Sequence, residues 1–199
     1  MQQLEGVITE IIFRNDSNGY TVFALEQDQE AYICTGSLPP VAVGLSVRVH
    51  GVTNVHPDYG EQFKVAHFEE TLPRERAGLL RYLSSGLIRG IGPSTAERLL
   101  EHFGMQVLDA LPHANKPAQV YGIGQKRAEE IAESYREQAS MRDAMLFLQQ
   151  FDITPALALK IYKQYGEHTG EVLRDNPYRL IYDVQQIGFR TADAIAQSM

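Results

Sequence analysis

Two rhythms of apolar and polar residues divide the chain near residue 72. Before that point, Leu4 to Phe13, Tyr20 to Glu26, Ala31 to Gly36, Leu45 to Val55 and Gln62 to Glu70 are rich in β-branched and aromatic residues. Short polar breaks separate them, which predicts five strands and no long helix. The first break, Asp16-Ser17-Asn18-Gly19, holds an Asn-Gly pair, a strong hairpin signal. Beyond residue 72 a hydrophobic residue between two glycines is followed, four residues after the second glycine, by Ala, and three residues later by a large aliphatic. The unit is intact at Gly90-Ile91-Gly92 with Ala96 and Leu99, and at Gly122-Ile123-Gly124 with Ala128 and Ile131. It is degraded at Asp152-Ile153-Thr154 with Ala158 and Ile161, and partly kept at Gln186-Ile187-Gly188 with Ala192 and Ile195.

Such a unit predicts a tight turn feeding a helix. The glycines permit backbone conformations closed to other residues and let another chain come near, while the residue between them plugs the turn into a core. Ala and the following aliphatic lie on one helical face. The helix start left outside presents free N–H groups and the positive end of a dipole, which suit a phosphate. At the first turn Pro93 fits an early helical position, and Arg89, Gly90, Gly92, Ser94, Thr95 and Arg98 are candidate contacts to a nucleic-acid backbone. At the second, Gly122, Gly124, Gln125, Lys126 and Arg127 are candidates. Two cations in a first helical turn oppose the dipole unless an anion binds there. The fourth turn contributes Gly188, Arg190 and Thr191, with Gln186 and Phe189 weakening it; the third, with Asp152 and Pro155, reads as structural.

Phe103-Gly104 and Tyr165-Gly166 follow the first and third turns at the same distance, while Val107-Leu108 and Val172-Leu173 precede the second and fourth at nearly the same distance. The array is therefore a duplicated pair, with expected domains at 73–138 and 139–199 behind a strand domain at 1–72. The fold class is α+β multidomain: a small N-terminal barrel of oligonucleotide/oligosaccharide-binding (OB) form, with an SH3-like barrel as the alternative, then an all-α array.

Charge separates the two halves. Residues 1–72 hold three cations, Arg14, Arg48 and Lys64, against ten carboxylates, a balance of −7 that is the excess of the whole chain. Nucleic-acid affinity rests on cations that neutralise phosphates, so the barrel is expected to dock protein rather than strands, with Tyr20, Tyr32, Tyr59 and Phe63 as core or stacking residues. The neutral array predicts weak, salt-sensitive DNA binding through a few placed donors.

The lone Cys34 forms no internal disulfide and suits a reducing cytoplasm. No apolar run approaches the ~18–20 residues that span a bilayer, and Met1-Gln2-Gln3-Leu4-Glu5 has no signal-peptide pattern, so no membrane partner is expected. The histidines His50, His56, His67, His102, His113 and His168 lack metal-type spacing, and no Gly-x-x-x-x-Gly-Lys-Ser/Thr phosphate loop or catalytic constellation occurs. No cofactor or metal is expected in the chain.

The glycine turns resemble the helix-hairpin-helix motif of DNA repair and recombination proteins. Taken with Leu4-Glu5-Gly6-Val7-Ile8, Asn15 to Val22, Leu87 to Ala96, and Asp175-Asn176-Pro177-Tyr178-Arg179-Leu180 before Ile187-Gly188-Phe189, the chain resembles from end to end the N-terminal region of the RecD-like ATP-dependent DNA helicases. The resemblance implies downstream motor domains that use ATP and Mg²⁺ and move 5′ to 3′, with single-stranded or forked DNA, the protein's own motor and a single-strand-binding protein as partners. The ending Ala196-Gln197-Ser198-Met199, inside an apparent helix, reads as a truncation before that motor. Two alternatives are a protein similar to the Holliday-junction-binding RuvA, which accounts for residues 1–138 but not the second pair, and a protein-interaction scaffold.

Overall fold

The computed structural model describes residues 1–151 and 153–199, so the expectation that Asp152 opens the third turn falls on a residue outside the described ones. Five strands, β1 (Gln2–Asn15), β2 (Tyr20–Gln27), β3 (Glu30–Ser37), β4 (Ser46–His56) and β5 (Gly60–Glu70), close a barrel in the order β1-β2-β3-β5-β4. All pairings are antiparallel except β3 with β5, where Cys34 faces Phe63 and Thr35 faces Lys64. This is the OB arrangement. Closure depends on the length of β1: Gln2 to Val7 pairs with β4, and Val7 to Asn15 with β2. Register shifts at Ile8/Glu10 and Ile11/Phe13 bend the strand so that it serves both neighbours.

Inward residues Ile8, Phe23, Leu25, Cys34, Val47, Val49 and Phe63 fill the barrel, and Leu38 and Leu45 close one end from the β3–β4 connection. The Asn-Gly break is a four-residue loop, not a two-residue turn. Gly19 takes φ +71°, and the Asn15 and Asn18 side chains accept from the amides of Ser17 and Tyr20.

The helices are α1 (Arg76–Ser84), α2 (Pro93–Phe103), α3 (Val107–Ala110), α4 (Gln125–Gln149), α5 (Pro155–Tyr165), α6 (Thr169–Asp175), α7 (Leu180–Asp183) and α8 (Phe189–Ser198). The expected boundary at 138 and 139 falls inside α4, which runs 25 residues without a break. Gln138-Ala139-Ser140-Met141 contains neither Pro nor Gly, so nothing stops the helix there. One end of α4 lends Ile131 and Tyr135 to a core shared by the barrel and the first two turns; the other lends Met145 and Leu148 to a second core around the last two turns. The barrel and the first pair thus have a common interior across the expected boundary at 72 and 73.

The duplication is visible in the backbone. Gly104 and Gly166 end α2 and α5 at φ +56° and +57°, and a short 3₁₀ turn follows each. Counted from those glycines, buried Thr169 takes the place of Val107, and Leu173 that of Leu111. The equivalence expected between Val107-Leu108 and Val172-Leu173 is therefore displaced by three residues.

A polar cluster pins α4 to the barrel. The Glu70 carboxylate lies 3.5 Å from the Arg142 guanidinium, both side chains nearly buried, and Gln149 donates to the Phe68 carbonyl. Burial pushes the Glu70 carboxyl above its ordinary range, although Arg142 beside it pulls the other way.

Candidate nucleic-acid interface

The described residues of the four turns share one plan. Ile91, Ile123, Ile153 and Ile187 are buried as plugs, and Ala96, Ala128, Ala158 and Ala192, like the aliphatics three residues on, are wholly enclosed. The amides of Ile91, Ile123 and Ile187 donate to carbonyls three residues back. Each Ala amide donates to the residue that opens its helix: Gly92, Gly124, Thr154 or Gly188.

The two glycines of each intact turn have different reasons to be there. Gly90 and Gly122 sit at φ +85° and +81°, where side chains are strained. A Cβ would also strike Ile131 in the first case and, at 2.1 Å, the Arg98 guanidinium in the second. Gly92, Gly124 and Gly188 have extended backbones, and a Cβ on any of them would meet nothing within 4 Å. No steric conflict requires those three glycines. They open α2, α4 and α8 with no side-chain cap, leaving the first amides of each helix turned outward. Gln186, at the place of the first glycine in the fourth turn, keeps the left-handed conformation at φ +75°, and Lys160 holds its side chain from α5.

The candidate cations divide into two sets. Arg127 donates through Nε to the Gly90 carbonyl (2.8 Å) and through Nη2 to the Thr95 hydroxyl (3.0 Å). Arg98 reaches the opposite way, donating to the Tyr121 carbonyl (2.8 Å) and to the same Thr95 hydroxyl (3.4 Å). Thr95 is buried, so its hydroxyl faces the two arginines rather than solvent. These three residues clamp the first turn to the second. Arg89 has its amide on the buried Ser134 hydroxyl (2.9 Å) and its guanidinium on Glu137 (2.9 Å). Lys126, Ser94 and Gln125 are exposed; Gln125 bonds Glu129, and Lys126 has no carboxylate within 4 Å among the described residues. In the fourth turn Arg190 is exposed, Thr191 is half-buried, and Phe189 stacks on Tyr178 at 5.7 Å.

Sequence reasoning missed Ser134 and the Tyr121 carbonyl. Ser134 stands three residues after Ile131 on the inner face of α4, a small polar interruption of an apolar stripe, and that was its signal. Among the barrel aromatics, Phe63 is core, Tyr20 and Tyr59 are exposed, and Tyr32 is half-buried. Among the described residues no helix is long and apolar enough to cross a membrane.

Three family models tile this architecture. Residues 1–73 match the OB-fold domain of the ATP-dependent DNA helicase YrrC, residues 81–137 a SAM-like helix-hairpin-helix tandem, and residues 137–199 the helix-hairpin-helix domain of the ATP-dependent RecD2 DNA helicase. The chain matches the N-terminal region of the RecD2-type helicases. The ATP-dependent RecD2 DNA helicase of Deinococcus radiodurans is 27% identical over 206 residues, an alignment covering 98% of this chain and 28% of that protein's length. The second pair, which a RuvA-like organisation leaves unexplained, is the part matched by the RecD2 model itself.

Proposed function

We propose that this chain is the DNA-holding N-terminal module of a RecD-like helicase that moves 5′ to 3′ and serves repair and recombination. The observation that carries this is the second glycine of the intact turns: no clash demands Gly92 or Gly124, and each opens an uncapped helix with free space around it, which leaves room for a phosphate at the first amides of α2 and α4. Phosphates seated at these corners receive backbone N–H donors, from α2 at one and from α4 at the other, with Lys126 beside the second as counter-charge. Thr95, Arg98 and Arg127 hold the two corners in register, so the charge that touches DNA is smaller than the sequence suggests.

ATP and Mg²⁺ belong, in this assignment, to the motor domains of the longer protein, since the 199 residues contain no phosphate loop. The motor pulls one strand while the hairpins hold backbone at the fork. The acidic outer surface of the barrel supplies contacts to the motor or to a single-strand-binding protein.

The test is fluorescence anisotropy with duplex and forked oligonucleotides at several salt concentrations. Gly92→Ala with Gly124→Ala should leave the fold intact and weaken both complexes by about tenfold, the loss of roughly one charge-assisted contact. Unchanged affinity in the folded double variant would refute the assignment.

A further inference from the structure

The second turn carries a side chain that packing does not use. Tyr121 is 91% exposed, more than any other large apolar or aromatic residue among those described. Its backbone is nevertheless fixed on both sides. Val120 and Ile123 are buried, the Val120 amide donates to the Pro117 carbonyl, and the Tyr121 carbonyl accepts from Arg98. The Ile123 amide donates back to the Val120 carbonyl, closing a turn with Tyr121 and Gly122 at its two corners; Gly122, at φ +81°, suits the second corner of a type II turn. A rigid corner therefore holds out a bare phenol ring whose own freedom is two torsions.

Among the described residues no ring packs on Tyr121 and its hydroxyl has no hydrogen-bond partner, whereas exposed Tyr59 leans on His56 and Phe189 on Tyr178. The equivalent corner differs in the other turns. Arg89 occupies it in the first and is tied to Glu137, Phe151 in the third lies half-buried against the second core, and Gln185 takes it in the fourth. The open aromatic belongs to the second turn, whose helix begins with Gln125-Lys126-Arg127.

Stacking limits what such a ring can meet. Inside a duplex each base is covered on both faces by its neighbours, so a ring at a backbone-binding corner finds a free base face only where stacking stops, as at a fork. Contact between a base and an aromatic ring is also tolerant of sequence, as hairpins that hold backbone require. We infer that Tyr121 stacks on the base exposed at the junction of duplex and single strand, and so gives the hairpin corners a preference for forked DNA over continuous duplex. This role rests on the backbone contacts proposed above: the outward amides of α4 hold the phosphate, and the ring four residues before that helix takes the adjoining base.

The experiment is anisotropy of the full chain with a forked oligonucleotide and with a long duplex, in which internal sites far outnumber ends. Tyr121→Ser alters an exposed side chain and should leave Tm unchanged. It should weaken fork binding about tenfold and leave duplex binding as it was, while Tyr121→Phe, which keeps the ring, binds both ligands as the parent does. 5-Iodouracil at the junction nucleotide should photocrosslink to the peptide containing Tyr121, and the same base within the duplex should not. The assignment is overturned by unchanged fork affinity in Tyr121→Ser, as a ring that meets a protein partner instead would give. Equal losses on fork and duplex, a Tyr121→Phe variant as weak as Tyr121→Ser, or junction crosslinks confined to other peptides would overturn it as well. Failure of the backbone reading shows separately, as full affinity for both ligands in Gly92→Ala with Gly124→Ala, a result that does not depend on Tyr121.

Discussion

Gly122→Ala and Gly124→Ala make the same chemical change two residues apart and should have different consequences. At Gly122 the added methyl meets two penalties. The backbone stands at φ +81°, which costs an L-residue about 1–2 kcal/mol. The Cβ would also sit 2.1 Å from the Arg98 Nη1, forcing the guanidinium off the Tyr121 carbonyl; for a bond this open to water the loss is about 1 kcal/mol. The sum is about 2–3 kcal/mol, which in a chain of this size lowers Tm by roughly 4–12 °C. At Gly124 φ is −75° and nothing lies within 4 Å of the new atom, so Tm should change little, the stiffer unfolded chain offsetting the poorer helix cap that Ala makes. Thermal melts by circular dichroism measure both. Equal melting temperatures for the two variants would refute the division of roles between first and second glycine.

Further outcomes separate the cations, the strained fourth turn and the barrel junction. Lys126→Ala should reduce the slope of log affinity against log salt by about one, whereas Arg127→Met should lower Tm and leave that slope in place; the reverse pattern would mean that Arg127 meets DNA. Gln186→Gly relieves a left-handed glutamine, offset by the lost bond to Lys160 and a looser unfolded chain, so Tm should rise by up to about 2–4 °C, and a fall would count against strain there. Glu70 is raised by burial, so the folded chain keeps a proton that the unfolded chain releases. Stability should therefore fall as pH climbs from the ordinary carboxylate range through the raised value. Urea titrations across that window should show a flatter dependence for Glu70→Gln, and identical slopes would contradict the assignment.

Much of the fold was legible because its signals are local. The five strands begin and end within a few residues of the apolar runs, since each run has to alternate against a barrel interior. The helical unit was legible because Ile, Ala and the next aliphatic occupy fixed positions on one turn and one helical face. What escaped depends on reach. Nothing in Gln125-Lys126-Arg127 tells which cation faces water: the two neighbours point in different directions, and Arg127 is long enough to find the Gly90 carbonyl 37 residues away. The bonds that Arg98 and Thr95 make across the two turns, and the place of Ser134, escaped for the same reason. The continuity of α4 was hidden because a sequence duplication suggests a joint where the helix needs none.

The central claim is that outward amides at the glycine corners receive the phosphates of DNA, and a ¹⁵N-resolved NMR titration with a forked oligonucleotide tests it most directly. The amides of Ser94 and Thr95 in α2 and of Gln125 to Arg127 in α4 should shift first and furthest, with those of Phe189 and Arg190 following more weakly. Shifts that leave these amides still while DNA binds elsewhere on the chain would contradict it.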